Sequence, residues 1–579
     1  MENVNDLPAE ILIQVFDFLT VSERKIAASV CTLWCRILHC VRYQRQCRFL
    51  LDRTFEEGLS DMEKQVLLNC RNLSITHWDE DSEDEEDEED IIELKYLYKP
   101  SPEQNLADLL FNPKLDLESL ELFSTYDSCR HIIDSRLPQL ENLQNLSLNF
   151  DQNQKPNKAA DTSVWTIQHD RIKSFKLDIS HNVKPYRLIT PHLTCLDVTT
   201  NCRWNIELVE MYSNQLQCLK LRFDDAESMD QIISMAFPKL TELHVQMFDD
   251  KDIQVRYARM NHRLTHLEKD EQFVRGMPQL KKLQLYSNLM FYRMSAFMGR
   301  YLRLLQELTL EEQQIDYAQL KTVETLPQLK TLTLFRCEVL QTSSMLPALQ
   351  LPRLHKLTLL YNESSIVFDK GLANITHLKI SLWMRNNHKV LYKICNNLSN
   401  LEHLEVRVNS KLVNTSLRHL HRLTKLKSLK LDDVELNARL WTHCPIVASV
   451  QRLVLINCSF KLDTLQPVAE LFPSLQELFV DRCYIKNCDQ EKVGDEDEDR
   501  AEALVSSSPC FDESSKSDET FNVEDLHGDN TGSTDDSDSE DEDSSSEKQS
   551  LTIDRVRRWF PQSRVSFKDA YFRFTNDYD

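Results

Sequence analysis

The residues of this sequence best suited to chemistry are two pairs, His443 with Cys444 and Cys483 with Cys488. A nucleophilic thiol needs a base within hydrogen-bond reach, and a zinc ion needs a closed set of ligands. Neither pair has a further base or ligand set at a fixed offset. We therefore expect no catalytic residue, no metal and no cofactor, and interpret the chain as a non-enzyme.

Motifs that hold phosphate are also missing from the sequence. It contains only 7 glycines and neither G-x-G-x-x-G, G-x-x-x-x-G-K-[ST] nor H-E-x-x-H. Phosphate-binding turns usually need glycine, because the backbone must approach the ligand closely. These absences weigh against a nucleotide-binding enzyme and a zinc protease.

The 16 cysteines are expected to be reduced thiols. The N-terminus lacks the basic and apolar regions of a signal peptide, and no apolar run is long enough to span a membrane. Thiols persist in reducing compartments, so we expect a cytoplasmic and/or nuclear protein. Cys31 and Cys35 have a spacing that suits a metal, but no partner ligands lie nearby, which favours buried thiols.

The first forty residues predict three short helices with apolar faces. The first follows Leu7-Pro8, the second is capped by Ser22, and the third contains Trp34. Proline is tolerated in a first helical turn, and serine is a good N-cap. So short a segment cannot bury all its large apolar side chains within itself. The exposed face is either a partner site or a cap packed on the rest of the chain.

The spacing in this segment resembles the F-box motif from Leu7 to Trp34. The family usually has Asp-Leu before the second helix, whereas this chain has Glu23 and Arg24. The resemblance implies docking to the small Skp-type adaptor of a cullin–RING ubiquitin ligase. The adaptor-binding residues that it implies are Leu7, Pro8, Ile11, Leu12, Phe16, Leu19, Val30, Cys31 and Trp34.

A repeated L-x-x-L-x-L pattern fills most of the chain. It recurs from Leu117 to Val480, mostly every 21 to 29 residues, which is the period of leucine-rich repeats. A proline often precedes the first leucine, as in Met277-Pro278-Gln-Leu280, where it ends a helix and extends the chain. Asparagine or cysteine follows the strand at Asn201, Asn288, Cys337, Asn362, Asn409, Cys458 and Cys483.

This period predicts an α/β fold, in which a curved leucine-rich-repeat solenoid with parallel strands inside and helices outside follows the three-helix F-box. Side chains between the inward leucines would form the inner face, and they lean basic from Lys356 to Arg452. Exposed aromatic and basic side chains are typical of binding hot spots. An ordinary solvated face is the open alternative. The candidate target-binding residues are Tyr286, Phe335, Lys356, Lys379, Arg407, Lys430, Arg452 and Phe479.

Two acidic segments account for the net charge of −24 and leave a mildly basic remainder. Such composition predicts disorder. The domain prediction is therefore an F-box (1–48), a linker with a degenerate first repeat (49–78), an acidic disordered loop (79–90) and the solenoid (91–488). An acidic, Ser-rich disordered insertion (489–549) and a closing repeat or cap (550–579) follow.

The leading hypothesis is a non-catalytic substrate receptor of an SCF-type ubiquitin ligase. The F-box would dock the Skp-type adaptor, and through it a cullin–RING ligase, while the concave face binds a protein target. Neither nucleic acid nor a membrane is an expected partner. The alternative is a non-catalytic acidic leucine-rich binder or chaperone of basic proteins such as histones.

Overall fold

The computed structural model describes part of the chain, and that part divides into two compact units. The described residues are 9–19, 24, 27, 30–38, 48–51, 70–76, 116–124, 126–150, 164–178, 186–200, 202–223, 226–247, 267–286, 288–340, 349–361, 368–382, 387–408, 417–436, 441, 444–486, 553–568 and 571–573. The first unit comprises Met1–Leu354 with Asn362–Ile366, and the second His355–Tyr361 with Val367–Asp579.

The first unit is a run of parallel strands with helices between them. Its helices are α1 (Ala9–Asp17), α2 (Thr32–Leu38), α3 (Tyr126–Arg136), α4 (Arg203–Tyr212), α5 (Ala226–Ile233), α6 (Leu267–Arg275), α7 (Asn288–Tyr301) and α8 (Tyr317–Val323). Its strands are β1 (Arg48–Leu51), β2 (Asn72–Thr76), β3 (Ser119–Ser124), β4 (Asn145–Phe150), β5 (Trp165–Gln168), β6 (Ser174–Asp178), β7 (Tyr186–Ile189), β8 (Cys195–Thr199), β9 (Cys218–Phe223), β10 (Glu242–Met247), β11 (Lys282–Tyr286), β12 (Glu307–Glu311), β13 (Gln314–Asp316), β14 (Thr331–Phe335) and β15 (Glu338–Leu340).

The main sheet of this unit pairs β1, β2, β3, β4, β6, β8, β9, β10, β11, β12 and β14 in that order, always in parallel. Two small parallel pairs, β5 with β7 and β13 with β15, lie beside it. The leucine pattern does not predict β1 or these small pairs, because their sequences lack the repeated motif.

The second unit repeats the same architecture with fewer long helices. Its strands are β16 (Lys356–Leu360), β17 (His377–Leu382), β18 (His403–Val408), β19 (Ser428–Asp432), β20 (Glu435–Leu436), β21 (Arg452–Ile456), β22 (Ser459–Lys461), β23 (Glu477–Asp481), β24 (Tyr484–Lys486), β25 (Arg564–Lys568) and β26 (Tyr571–Arg573), and its helices are α9 (Asn387–Asn397) and α10 (Gln466–Leu471). The main sheet runs β16, β17, β18, β19, β21, β23, β25, and a smaller one β20, β22, β24, β26. Residues 553–559 are helical and precede β25.

Alternation along each strand separates the core from the open face of the sheet, which we define as the side carrying the residues between the buried leucines. In β11, Leu283 and Leu285 are buried, whereas Gln284 and Tyr286 are half-buried. Burying one leucine stabilises the fold by about 1.5–3 kcal/mol, so the recurring leucines supply most of the cohesion. The predicted α/β solenoid class is confirmed, and each unit separately shows its parallel repeats.

A regular turn ends many strands and fixes the repeat geometry. Arg336 and Asn457 have φ of 50° and 51°, a left-handed conformation that non-glycine residues rarely adopt. The thiol that follows helps to hold the turn, since Cys337 Sγ donates to Leu310 O at 3.2 Å. Gln313 occupies the same place in another repeat, and its amide donates to Glu311 O at 2.8 Å. At this position cysteine and glutamine side chains therefore satisfy backbone carbonyls of the turn.

Candidate functional site

The N-terminal segment has a small core of its own. Leu12 and Phe16 of α1 are buried with Ala27, Ile37 and Leu38, and Trp34 packs against them. The Phe16 and Trp34 rings meet edge to face, with centroids 5.1 Å apart. Much of the second predicted helix lies outside the described residues, apart from Arg24, Ala27 and Val30. In this conformation Leu12 and Phe16 lie inside the segment and are not available to a partner.

An apolar surface remains uncovered around this core. The exposed fractions are 41% for Ile11, 48% for Val15, 90% for Phe18, 60% for Val30 and 37% for Leu33. Exposure of several large apolar side chains in so short a segment is typical of a protein-binding surface. Of the predicted adaptor-binding residues, Ile11 and Val30 lie on this surface, Leu12 and Phe16 lie in the core, Leu19, Cys31 and Trp34 are half-buried, and Leu7 and Pro8 lie outside the described residues.

Two polar side chains of this segment, Arg24 and Trp34, differ in their hydrogen bonding. Arg24 Nε donates to the Phe16 carbonyl oxygen at 3.1 Å, near the C-terminal end of α1, where a cation is favourable. The arginine that departs from the F-box pattern therefore has a structural role. Trp34 Nε1 is buried and has no acceptor in the part of the chain that the structure describes. An unpaired buried donor costs about 1–3 kcal/mol.

A basic pocket of about 710 Å³ lies on the open face of the second unit. Successive parallel strands place the same repeat position side by side, so long polar side chains from β16 to β23 converge there. The floor is apolar and includes Val454 and Phe479. The polar and charged residues that line the pocket are Lys356, Thr358, His377, Lys379, His403, Glu405, Ser428, Lys430 and Arg452.

One carboxylate sits between two lysines at the centre of this basic pocket. The Nζ atoms of Lys379 and Lys430 each lie 2.9 Å from Glu405 Oε1. Burial alone would raise the pKa of Glu405, but the hydrogen bonds and charges of the two lysines lower it overall. Glu405 is therefore ionised at neutral pH and neutralises only one of the two lysines. Lys356 is exposed and has no ion-pair partner among the described residues, so the basic pocket keeps excess positive charge.

Two stacked histidines line the basic pocket beside Lys356. The rings of His377 and His403 have centroids 4.3 Å apart at an interplanar angle of 20°. Burial, followed by the charges of His403 and Lys356, lowers the pKa of His377. This imidazole is therefore neutral at neutral pH. Neither histidine is among the binding residues predicted from the sequence; their recurrence at one repeat position, opposite each other on β17 and β18, was the available signal.

The predicted target-binding residues are only partly brought together. Lys356, Lys379, Lys430, Arg452 and Phe479 line the basic pocket. Arg452 Nε lies 3.0 Å from Glu477, a carboxylate of the neighbouring strand. The remaining three do not line the pocket: Arg407 lies over the Tyr361 ring at 5.0 Å, and Tyr286 and Phe335 belong to the first unit.

The described residues show two further features of functional interest. None of their helices is both long and apolar enough to cross a bilayer. They also contain no group of three or more histidine, cysteine or acidic side chains arranged to hold a metal ion. Of the pairs with possible chemistry, Cys483 is buried and donates to Asp481 O at 3.3 Å, while His443 and Cys488 lie outside the described residues.

One protein-family model matches the N-terminal segment. Residues 4–48 match the family F-box-like, and we call them the F-box-like segment. Together with the parallel repeats described above, this match makes the chain an F-box/leucine-rich-repeat protein. A search of curated proteins finds no match to the sequence.

Several solved structures share a resemblance at low identity. A leucine-rich-repeat protein of Leptospira interrogans is 16% identical with a TM-score of 0.31, covering 71% of this chain and 98% of that one. An internalin from Listeria monocytogenes is 14% identical with a TM-score of 0.27, covering 78% and 98%. A chain of the mouse RP105/MD-1 complex is 13% identical with a TM-score of 0.29, covering 65% of this chain and 76% of that one. The strand register of this chain itself defines its parallel repeats.

Proposed function

We propose that this protein is the target-recruiting subunit of an SCF-type ubiquitin ligase and has no catalytic residues of its own. The observation that carries the proposal is the uncovered apolar surface of the F-box-like segment, which contains Ile11, Val15 and Val30. F-box domains generally bind Skp-type adaptors, and an apolar docking surface fits that role. The cullin–RING ligase would then be reached through the adaptor.

The basic pocket supports the second half of this proposal, the capture of a protein target. Lys356, Lys379 and Lys430 provide more positive charge than Glu405 neutralises, and Phe479 adds an aromatic floor. Complementary charge steers association and selects partners. The target that suits the pocket is therefore an acidic segment of a protein, held by its carboxylates while an apolar side chain packs on Phe479.

The histone-chaperone alternative depends on residues 489–549, which lie outside the described residues. The basic pocket itself would repel a basic protein. Salt-sensitive histone binding that disappears when 489–549 is deleted would favour that alternative. In our proposal the compartment is reducing, either cytoplasm or nucleus, because half-exposed free thiols such as Cys195, Cys202 and Cys218 persist there.

Adaptor capture tests the first half of the proposal. The full chain should bind a purified Skp-type adaptor, and the double variant Ile11→Glu/Val30→Glu should lose more than about tenfold in affinity, because carboxylates cannot be buried in an apolar interface without a large cost. A matched control is Met211→Glu/Ile446→Glu, which changes exposed apolar residues outside the F-box-like segment. Equal binding by both double variants would refute docking through this surface.

A further inference from the structure

Two cysteines lie side by side on the open face of the first unit. Cys195 in β8 and Cys218 in β9 are register partners on adjacent parallel strands, and both are half-exposed free thiols. Adjacent strands lie about 4.8 Å apart, within the range of about 4.4–6.8 Å between Cα atoms that a disulfide spans. Each thiol is the largest influence on the pKa of the other, as expected for sulfurs that lie next to each other.

Polar neighbours make this dithiol more acidic than an isolated cysteine. The neighbouring Cys218 thiol lowers the pKa of Cys195 to about 6; burial opposes this shift, while the Ser174 hydroxyl and Lys220 assist it. The same contact raises the pKa of Cys218, because its proton is held by the neighbouring thiolate. The first ionisation of the pair therefore falls on Cys195, whose thiolate lies beside the Cys218 thiol.

A second pair of neighbouring thiols provides an internal contrast. Cys458 and Cys483 in the second unit also lie next to each other, and the Cys458 backbone N–H donates to Cys483 Sγ at 3.4 Å. Their exposed fractions are only 1% and 0%. Each thiol donates to backbone carbonyls, as Cys458 does to Ile456 O at 3.2 Å. These sulfurs hold a turn and are shielded from solutes, whereas Cys195 and Cys218 are accessible.

We propose that Cys195 and Cys218 form a reversible cross-strand disulfide by exchange with low-molecular-weight disulfides such as oxidised glutathione. The Cys195 thiolate attacks one sulfur of the small disulfide, forming a mixed disulfide and releasing one thiolate. Cys218 then loses its proton and attacks the Cys195 sulfur, forming the protein disulfide and expelling the second thiolate. Both protein cysteines are oxidised and one small disulfide is reduced; the Cys218 proton ends on one released thiolate, and the other takes its proton from water.

The disulfide would change the first unit in two ways. It would join the repeats of β8 and β9 covalently, and it would remove a thiolate charge from a face that already carries Asp197 and Glu242. Disulfides of reducing compartments are usually transient and responsive to redox state. The site would therefore report oxidising conditions on the open face of the first unit.

Peptide mass spectrometry of the reduced full-length protein tests this proposal. The protein is treated with oxidised glutathione, quenched with an alkylating reagent and digested. We expect a cross-linked peptide pair containing Cys195 and Cys218, reversed by dithiothreitol, while Cys458 and Cys483 stay reduced and are alkylated when the quenched protein is unfolded for digestion. Without oxidant at pH 7, Cys195 should be alkylated at least roughly tenfold faster than Cys458, because it is accessible and ionised.

Single variants separate the steps of the exchange. The Cys218→Ser variant should stop at a glutathione adduct on Cys195, since no second thiol can resolve it. The proposal is wrong if the wild-type protein also stops at that adduct, or if both cysteine pairs are oxidised at the same rate. Adaptor binding does not enter this measurement, so its result is independent of the proposed ligase function.

Discussion

The open faces of the two units carry different charges on the same framework. In the first unit, Arg222 pairs with Asp178 at 2.7 Å and Asp197 at 3.3 Å, so its cation is fully matched by acids. In the second unit, Lys379 and Lys430 share one carboxylate. The buried leucines are interchangeable between the units, whereas the side chains between them are not. The repeated leucines therefore determine the framework, whereas the side chains on the open face give each unit its own charge.

The largest expected effect concerns the shared framework and should not distinguish the units. Leu243 in β10 and Leu404 in β18 are each 2% exposed. Replacing either by alanine should destabilise its own repeats by about 3 kcal/mol, because each change leaves a cavity. Hydrogen exchange of the affected strand is the measurement. If the substituted strand of one unit kept full protection from exchange while that of the other lost it, the two frameworks would not be equivalent.

The second largest expected effect is a loss of peptide affinity that is confined to variants of the second unit. Replacing Lys379 and Lys430 by methionine removes both central cations of the basic pocket and leaves Glu405 unpaired. We expect the affinity for a fluorescent ten-residue polyglutamate peptide to fall about 100-fold, which corresponds to about 2.7 kcal/mol. The matched control is Lys220→Met/Lys282→Met on the open face of the first unit, which should leave affinity within about twofold. An equal loss in both double variants would place the binding site elsewhere.

A smaller change in the opposite direction sharpens the role of Glu405. Glu405→Gln removes the only acid that lines the basic pocket among the described residues, and it frees both lysines for a ligand. Because the lowered pKa keeps this group ionised at neutral pH, the substitution changes the pocket charge by a full unit. Polyglutamate affinity should rise by about fivefold. Weaker binding by this variant would show that Glu405 positions the lysines instead of competing with the ligand.

The smallest expected effect is a dependence on pH. Burial and the charges of His403 and Lys356 lower the pKa of His377, with Glu402 opposing, so its ring gains a proton at a lower pH than an ordinary imidazole does. Lowering the pH from 7.0 to 5.5 therefore adds positive charge to the basic pocket, while the glutamates of the peptide stay ionised above about pH 4.5. Affinity should rise by about threefold. The His377→Gln/His403→Gln variant should show a flat profile, and an equally steep one would contradict this assignment.

The repeats were predictable because leucine spacing reports burial directly. The spacing from Leu329 to Leu334 predicts the strand that is observed as β14. The small sheets were not predictable, since strands as short as β20 have no distinctive pattern and depend on neighbouring repeats. Among the candidate binding residues, Lys379 and Lys430 were identified from their repeat position. Their common carboxylate and the histidine stack depend on register between strands, which one repeat does not reveal.

We propose that one chain holds an adaptor and an acidic target at the same time. A ternary capture assay tests this simultaneous binding most directly. Immobilised Skp-type adaptor is loaded with the full-length protein, and retention of fluorescent polyglutamate is measured. We predict retention with the wild-type protein and its loss both for Ile11→Glu/Val30→Glu, which would not load, and for Lys379→Met/Lys430→Met, which would load without peptide. Failure of the wild-type protein to load on the adaptor, or release of the adaptor when peptide binds, would contradict the account.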